Sequence, residues 1–254
     1  MATRMILKSI VVLLITPLLA FGDDAAVKVA VFKGDGVGPS ANDLLSALKA
    51  AESRKIEVSR IMAEEIRDGK LAGVQVLVHP GGSGGGQGRA LGEEGRKAVR
   101  DFVSKGGGFL GVCGGAYLAT NDYPWSLNLI NARVVDKQHW ARGNGTVKLR
   151  LSEKGSEFLQ QKGRDLDIHY AQGPLLARRE FDDPKVPNYE SLAVFASEIT
   201  ERGAPRGVME GTSAIVRSEY GTGRVICFSP HPEMTEGLHH LIPLAVNWLA
   251  PKKQ

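Results

Sequence analysis

The run Phe109-Leu110-Gly111-Val112-Cys113-Gly114-Gly115-Ala116 constrains this chain more than any other stretch. An apolar strand leads into one cysteine, with glycines two residues before it and one and two after it. That spacing clears side chains from a sharp strand-to-helix turn and pushes the central side chain out above a sheet. A cysteine so placed also sits near a helix N-terminus, whose unpaired N–H groups and dipole favour thiolate over thiol. The same run also suits a small buried cysteine at a turn where glycine serves only packing, so other residues have to decide.

Two further pieces bear on it. Val225-Ile226-Cys227-Phe228-Ser229-Pro230-His231-Pro232-Glu233 is an apolar strand ending in His-Pro-Glu. A cysteine nucleophile needs a base, and the base needs a partner that holds its ring in one orientation. His231 and Glu233 fit those two roles, and Pro232 restricts the backbone between them. Alone, a His-x-Glu is also what a solvated turn looks like. Val78-His79-Pro80-Gly81-Gly82-Ser83-Gly84 follows a buried strand, so it belongs at the same carboxyl edge of a sheet as the elbow. Glycine amides there can stabilise an oxyanion together with the Gly114 amide; a flexible glycine turn is the plain alternative.

In this order the three pieces resemble the class I glutamine amidotransferase-like superfamily, and more narrowly the family named for the N-terminal domain of biotin–protein ligase. The opening Val31-Phe32-Lys33-Gly34-Asp35-Gly36-Val37, the elbow Gly111 to Ala119 and His169-Tyr170-Ala171-Gln172-Gly173-Pro174 all suit that family. The resemblance implies a catalytic triad of Cys113, His231 and Glu233. It also implies an oxyanion hole from the amides of Gly82 and Gly114, with the choice between Gly81 and Gly82 open. It supplies no established reaction, and no ligase catalytic domain follows in this chain. Asp35 could face the cysteine, as an acidic residue does in DJ-1/PfpI-like proteins. Gly81, Tyr117, Tyr170 and Gln172 are candidate pocket residues, whereas Trp125 and Trp140 read as packing.

Hydrophobic periodicity predicts strands at 27–32, 56–61, 74–78 and 109–112, alternating with helices at 41–51, 91–105 and from 114. Ser40 is a candidate cap for the first helix, and residues 81–88 read as a functional glycine loop. Short strands follow at 146–151, 167–169, 191–196, 213–218 and 224–228, with a hairpin turn at Tyr220-Gly221-Thr222-Gly223 and a closing helix at 238–249. The fold expected is α/β: a three-layer, mostly parallel sheet flanked by helices, flavodoxin-like, with extra short strands in the C-terminal half. The 254 residues suit one domain, over 23–254.

Residues 1–22 read as a signal peptide. Arg4 and Lys8 precede a short apolar run, and Ala20-Phe21-Gly22 supplies small residues for cleavage near Gly22. The expected product is exported, periplasmic or secreted, with no stable membrane insertion after the leader is removed. Losing two basic residues and no acid lowers the net charge from +4 to +2, so no electrostatic footprint for nucleic acid remains. Gly34-x-Gly36-x-Gly38 has the wrong spacing for a dinucleotide fingerprint, and His231, His239 and His240 have no third metal ligand at a suitable spacing. No cofactor and no metal are expected, and the two cysteines, Cys113 and Cys227, are expected to stay unpaired.

The function read from these residues is cysteine-dependent hydrolysis or transfer of a small-molecule or peptide amide through a thioester. Two rivals stand beside it: a binding module that keeps the fold without the chemistry, and a DJ-1/PfpI-like hydrolase or redox thiol tuned by Asp35. Oligomeric state is not readable.

Overall fold

The computed structural model of the chain describes residues 26–51, 55–180 and 183–251. The expected leader, 1–22, lies outside them. In chain order the elements are β1 (Val27–Phe32), α1 (Ala41–Lys49), β2 (Ile56–Ile61), α2 (Ala63–Arg67), β3 (Val76–His79), α3 (Gly84–Ser104), β4 (Gly108–Val112) and α4 (Gly114–Ala119). They continue with β5 (Ala132–Val134), β6 (Asn144–Leu151), α5 (Glu153–Phe158), β7 (Asp165–Ala171), β8 (Leu176–Arg178), β9 (Glu190–Phe195), β10 (Ser213–Tyr220), β11 (Gly223–Phe228), a 3₁₀ turn (Pro232–Met234) and α6 (Leu241–Leu249).

The sheet runs β2-β1-β3-β4-β11-β10-β9-β6-β7, with β8 pairing β10 and β5 pairing β8 at its side. Parallel ladders join β2, β1, β3, β4 and β11. Every other ladder is antiparallel. The expectation of a mostly parallel sheet is therefore corrected to a mixed one. Parallel neighbours need a crossover, and only the first half places a helix between each pair of strands. The link from β10 to β11 is two residues long, Gly221-Thr222, between the paired Tyr220 and Gly223, which permits only a hairpin.

Side chains on β1 alternate between two cores, as a strand buried on both faces requires. Val27, Val29 and Val31 join a cluster with Leu44 and Leu48 of α1 and Leu241, Ile242 and Val246 of α6. Ala30 and Phe32 face the opposite cluster, with Ile66 of α2, Leu91 and Val99 of α3 and Ala116 of α4. The three layers are thus as expected. Burying each such large aliphatic side chain contributes about 1.5–3 kcal/mol.

Two local expectations change. Ser40 is itself helical in conformation (φ −59°, ψ −12°) and makes no side-chain cap. The glycine run does not form one long loop: only its first residues do, and α3 begins at Gly84, capped by Ser83, whose Oγ accepts from the Gly86 N–H at 3.0 Å. Glycine is a poor helix former, but here the helix packs too closely for side chains. A Cβ on Gly84 would lie 2.6 Å from the Gly114 carbonyl oxygen, and one on Gly85 would lie 3.3 Å from the Trp125 ring. The helix breaks at Gly92 (φ 65°), close to where the periodic pattern predicts a start.

Candidate active site

β1 has β2 on one side and β3 on the other, so the chain reverses its direction of travel across the sheet there. Crevices at such a point, at the carboxyl ends of parallel strands, are the usual ligand sites of open α/β sheets. The ends of β1, β3, β4 and β11 deliver residues 33–40, Pro80-Gly81-Gly82, Cys113 and His231 to this one edge.

Cys113 occupies the turn between β4 and α4 with φ +49° and ψ −99°. A non-glycine residue reaches a positive φ only when its surroundings force it there. Here the Cys113 N–H donates to the Phe228 carbonyl of β11 (2.8 Å), while its own carbonyl accepts from Ala116 and Tyr117. Gly115 packs against the His79 carbonyl too closely for any Cβ. The elbow is thus pinned on both sides. Its Sγ lies 3.5 Å from the Ala171 carbonyl oxygen at the end of β7.

His231 is 3% exposed and Glu233 2%. His231 Nδ1 lies 2.7 Å from Glu233 Oε1, and the Nε2 is buried with no hydrogen-bond partner. The His231 N–H donates to the His169 carbonyl (2.8 Å). Thr235 Oγ1 accepts from the His169 N–H (3.0 Å) and donates to the His231 carbonyl (2.8 Å). The His-Pro-Glu turn is therefore fastened to β7, a connection that no sequence motif signals. Burial alone lowers the His231 pKa, but Cys113 and Glu233 together outweigh it and push the imidazole up to about 10. His169, whose ring centroid is 6.1 Å from that of His231, is pushed down by its own burial and by the His231 charge.

Gly81 explains how these groups meet. A Cβ added there would stand 2.9 Å from His231 Cε1, 2.6 Å from Ser40 Oγ and 3.7 Å from Cys113 Cβ. Gly82 (φ +124°) forms a bridge with Val37, made by Gly38 N–H to Gly81 O (2.8 Å) and Ser83 N–H to Gly36 O (2.7 Å). That pattern leaves the Gly82 N–H out of the bridge. Gly114 is the first residue of α4, so its N–H has no acceptor within the helix. The two backbones touch: a Cβ on Gly114 would be 2.5 Å from the Gly82 oxygen and 3.0 Å from its nitrogen.

A cavity of about 690 Å³ opens over Cys113 and His231, with Gly82, Tyr117 and Gln172 on its wall. The Tyr117 hydroxyl donates to the Gln172 carbonyl (3.2 Å). Three pocket candidates are not on its wall: Gly81, which is wedged between Ser40, His231 and Cys113, and two that fall elsewhere. Asp35 is exposed and outside the lining, because it lies at the tip of the loop after β1; the acid on the wall is Asp43, in the first turn of α1. Tyr170 is wholly buried, its ring edge-on to Phe195 and its hydroxyl donating to Gly173 (2.9 Å), since alternation along β7 turns it into the core. Trp125 and Trp140, read as packing, both line the cavity. Sequence reasoning also missed Ser40 and Lys137, which the loop paths alone bring to the wall.

Cys113 and Cys227 are both unpaired. Cys227 lies opposite Gly111 in the β4–β11 ladder and points into the core on the other face of the sheet from Cys113. Burial pushes its thiol far above the ordinary range. Among the described residues there is no group of three His, Cys, Asp or Glu placed to hold a metal ion, and His239 and His240 are both exposed. No helix among them is long and apolar enough to cross a membrane.

Beneath the Pro80-Gly81-Gly82 loop lies His79, fully buried between Phe32 (4.6 Å between ring centroids) and Phe109 (5.5 Å). Its Nδ1 is 2.8 Å from Gln87 Oε1, and Gln87 Nε2 donates to the Pro80 carbonyl at 2.9 Å. Burial holds this imidazole neutral, lowering its pKa to about 4.

The same fold occurs in solved structures of low sequence identity. A glutamine amidotransferase is 20% identical, with a TM-score of 0.56 over 85% of this chain and 98% of its own. A cytoplasmic protein from Salmonella typhimurium is 11% identical, with a TM-score of 0.56 over 89% of this chain and 99% of its own. A β-galactosidase from Rahnella sp. R3 is 15% identical, with a TM-score of 0.54 over 89% of this chain but 31% of its own. No curated protein matches the chain by sequence. Residues 27–141, which hold the elbow and the Pro-Gly-Gly loop but end before His231, match the family described as biotin-protein ligase, N terminal, and over that stretch the chain resembles it on a glutamine amidotransferase-like fold.

Proposed function

We propose that this protein hydrolyses or transfers an amide through a thioester on Cys113. The observation that carries the reading is the convergence of three strand ends on one point. Cys113 stands strained on its elbow, His231 lies across Gly81 from it, and Glu233 holds the far nitrogen of the imidazole at 2.7 Å.

In this reading His231 takes the thiol proton and, with its pKa pushed up to about 10, retains it at neutral pH. The Cys113 sulfur attacks the amide carbon, a C–S bond forms, and the carbonyl oxygen takes up the displaced electron pair. The amides of Gly82 and Gly114 donate to that oxyanion. As it collapses, the C–N bond breaks and His231 gives its proton to the leaving amine. Water, deprotonated by the now neutral His231, attacks the thioester; the C–S bond breaks, the acid leaves and the thiol is restored. An amine in place of the water would make the step a transfer. Glu233 keeps the ring oriented and stabilises its charge throughout.

The binding-module reading rests on one contact, the 3.5 Å approach of Cys113 Sγ to the Ala171 carbonyl, which directs the thiol hydrogen away from His231. Export after cleavage near Gly22 belongs to the same proposal; it rests on Arg4, Lys8 and the apolar run behind them, and N-terminal sequencing of the protein from its native cell tests it. The test of the chemistry is a screen of amides and short peptides for released amine, with Cys113→Ala as control. Turnover lost in that variant supports the reading; turnover that survives it refutes the assignment of Cys113.

A further inference from the structure

The wall of the cavity is aromatic to a degree the triad does not require. Tyr123 and Trp125 stack face to face, 4.4 Å apart and 12° from parallel, and Tyr117 meets Tyr123 at 6.4 Å. Gly84 and Gly85 leave the room that the Trp125 indole occupies, since a Cβ on either would come within 3.3 Å of it. Three large hydrophobic side chains are exposed among the described residues, and two of them, Trp140 (56%) and Met234 (43%), belong to this cavity. Apolar surface left open at the mouth of a concave site marks a ligand that covers it.

The charged groups point the same way. Apart from the triad, the ionisable side chains of the lining are Asp43, Lys137 and the two tyrosines. Lys137 is already engaged, 2.9 Å from Asp122 Oδ2 and 4.6 Å from the centre of the Tyr123 ring. A free amino acid such as glutamine brings a carboxylate that would find no uncommitted cation on this wall, and its small apolar surface would leave Trp140 and Met234 wet.

We infer that the cavity takes a neutral amide carrying an aromatic ring, with the ring against Trp125, Tyr123 and Trp140 and the carbonyl at Cys113. The inference rests on the reading of Cys113 as the acylated residue. Its test is therefore one of binding and needs no turnover. The full chain carrying Cys113→Ala is titrated by calorimetry with N-acetyl-L-phenylalaninamide, with N-acetylglycinamide and with glutamine. The expected result is binding of the phenylalanine amide at least about tenfold tighter than either other compound, a margin one well-packed ring supplies. Adding Trp140→Ala, an exposed position whose loss leaves the core intact, is expected to remove most of that margin, and Trp140→Phe to keep it. Glutamine binding as tightly as the aromatic amide, no binding of any of the three, or indifference to Trp140→Ala would each overturn the inference. If the aromatic amide binds but the wild-type protein releases no amine from it, the aromatic ring subsite stands and the placement of the carbonyl for attack by Cys113 fails.

Discussion

His231 Nδ1 lies 2.7 Å from Glu233 Oε1, both side chains almost wholly buried and separated in sequence only by Pro232. A carboxylate so placed has one oxygen on the imidazole and the other, Oε2, buried without a partner. Its interaction energy is therefore directed at a single group. Replacing Glu233 by Gln keeps the shape and removes the charge, so His231 should lose part of its elevated pKa. Titration of the His231 ring by NMR should show the midpoint falling from about 10 toward the ordinary histidine range. An unchanged midpoint would mean that Glu233 does not tune the base.

The contact between Gly82 and Gly114 leads to a second prediction. Gly114→Ala places a methyl 2.5 Å from the Gly82 oxygen, so the two loops must separate. Overpacking of this kind costs about 1–3 kcal/mol of stability, and misplacing one oxyanion donor lowers kcat by about 10²–10³. Denaturant unfolding and amine-release kinetics on the same variant read the two effects separately. A variant of normal kcat would remove these amides from the mechanism.

Two histidines give the stability opposite slopes in separate pH windows. The folded pKa of His79 is depressed to about 4 against 6.5 when unfolded, so between pH 6.5 and 4 the unfolded chain binds the extra proton and stability falls as pH drops. The linked loss approaches about 3 kcal/mol. The folded pKa of His231 is raised to about 10, so its contribution is complete below pH 6.5 and disappears as pH rises toward 10. Chemical denaturation across pH should show both slopes. The acid-side slope should shrink in His79→Asn, and the alkaline-side slope in His231→Ala. An acid limb identical in wild type and His79→Asn would contradict the burial argument.

Cys227 should behave as a core residue only. Cys227→Ala deletes one buried sulfur and is expected to cost about 1–2 kcal/mol while leaving the reactivity of Cys113 unchanged. Loss of Cys113 labelling in that variant would link the two thiols after all.

The features legible in the sequence are those that the backbone encodes locally. Glycines at 111, 114 and 115 mark a tight strand-to-helix turn, and Pro80-Gly81-Gly82 after a strand puts a loop at the same edge. His231 and Glu233 are legible because only Pro232 separates them and an elbow cysteine stands earlier in the chain. The antiparallel half was less legible, since nothing in residues 144–220 states which strand lies next to which. Asp35 and Tyr170 neighbour wall residues in sequence, but a loop tip and a strand's alternation turn them away from the cavity. Trp125, Trp140 and Lys137 reach the cavity along loops whose paths depend on the whole fold, and their side chains alone carry no such information.

If His231 activates Cys113, removing the imidazole must slow the thiol. The most direct measurement is the rate of iodoacetamide alkylation at pH 7, with the labelled residue identified by peptide mass spectrometry, in wild type and in His231→Ala. The expected result is one label per chain, on Cys113, and a rate at least about tenfold slower in the variant, because the thiolate loses the cation that stabilises it. Equal rates in the two proteins, or labelling on Cys227, would contradict it.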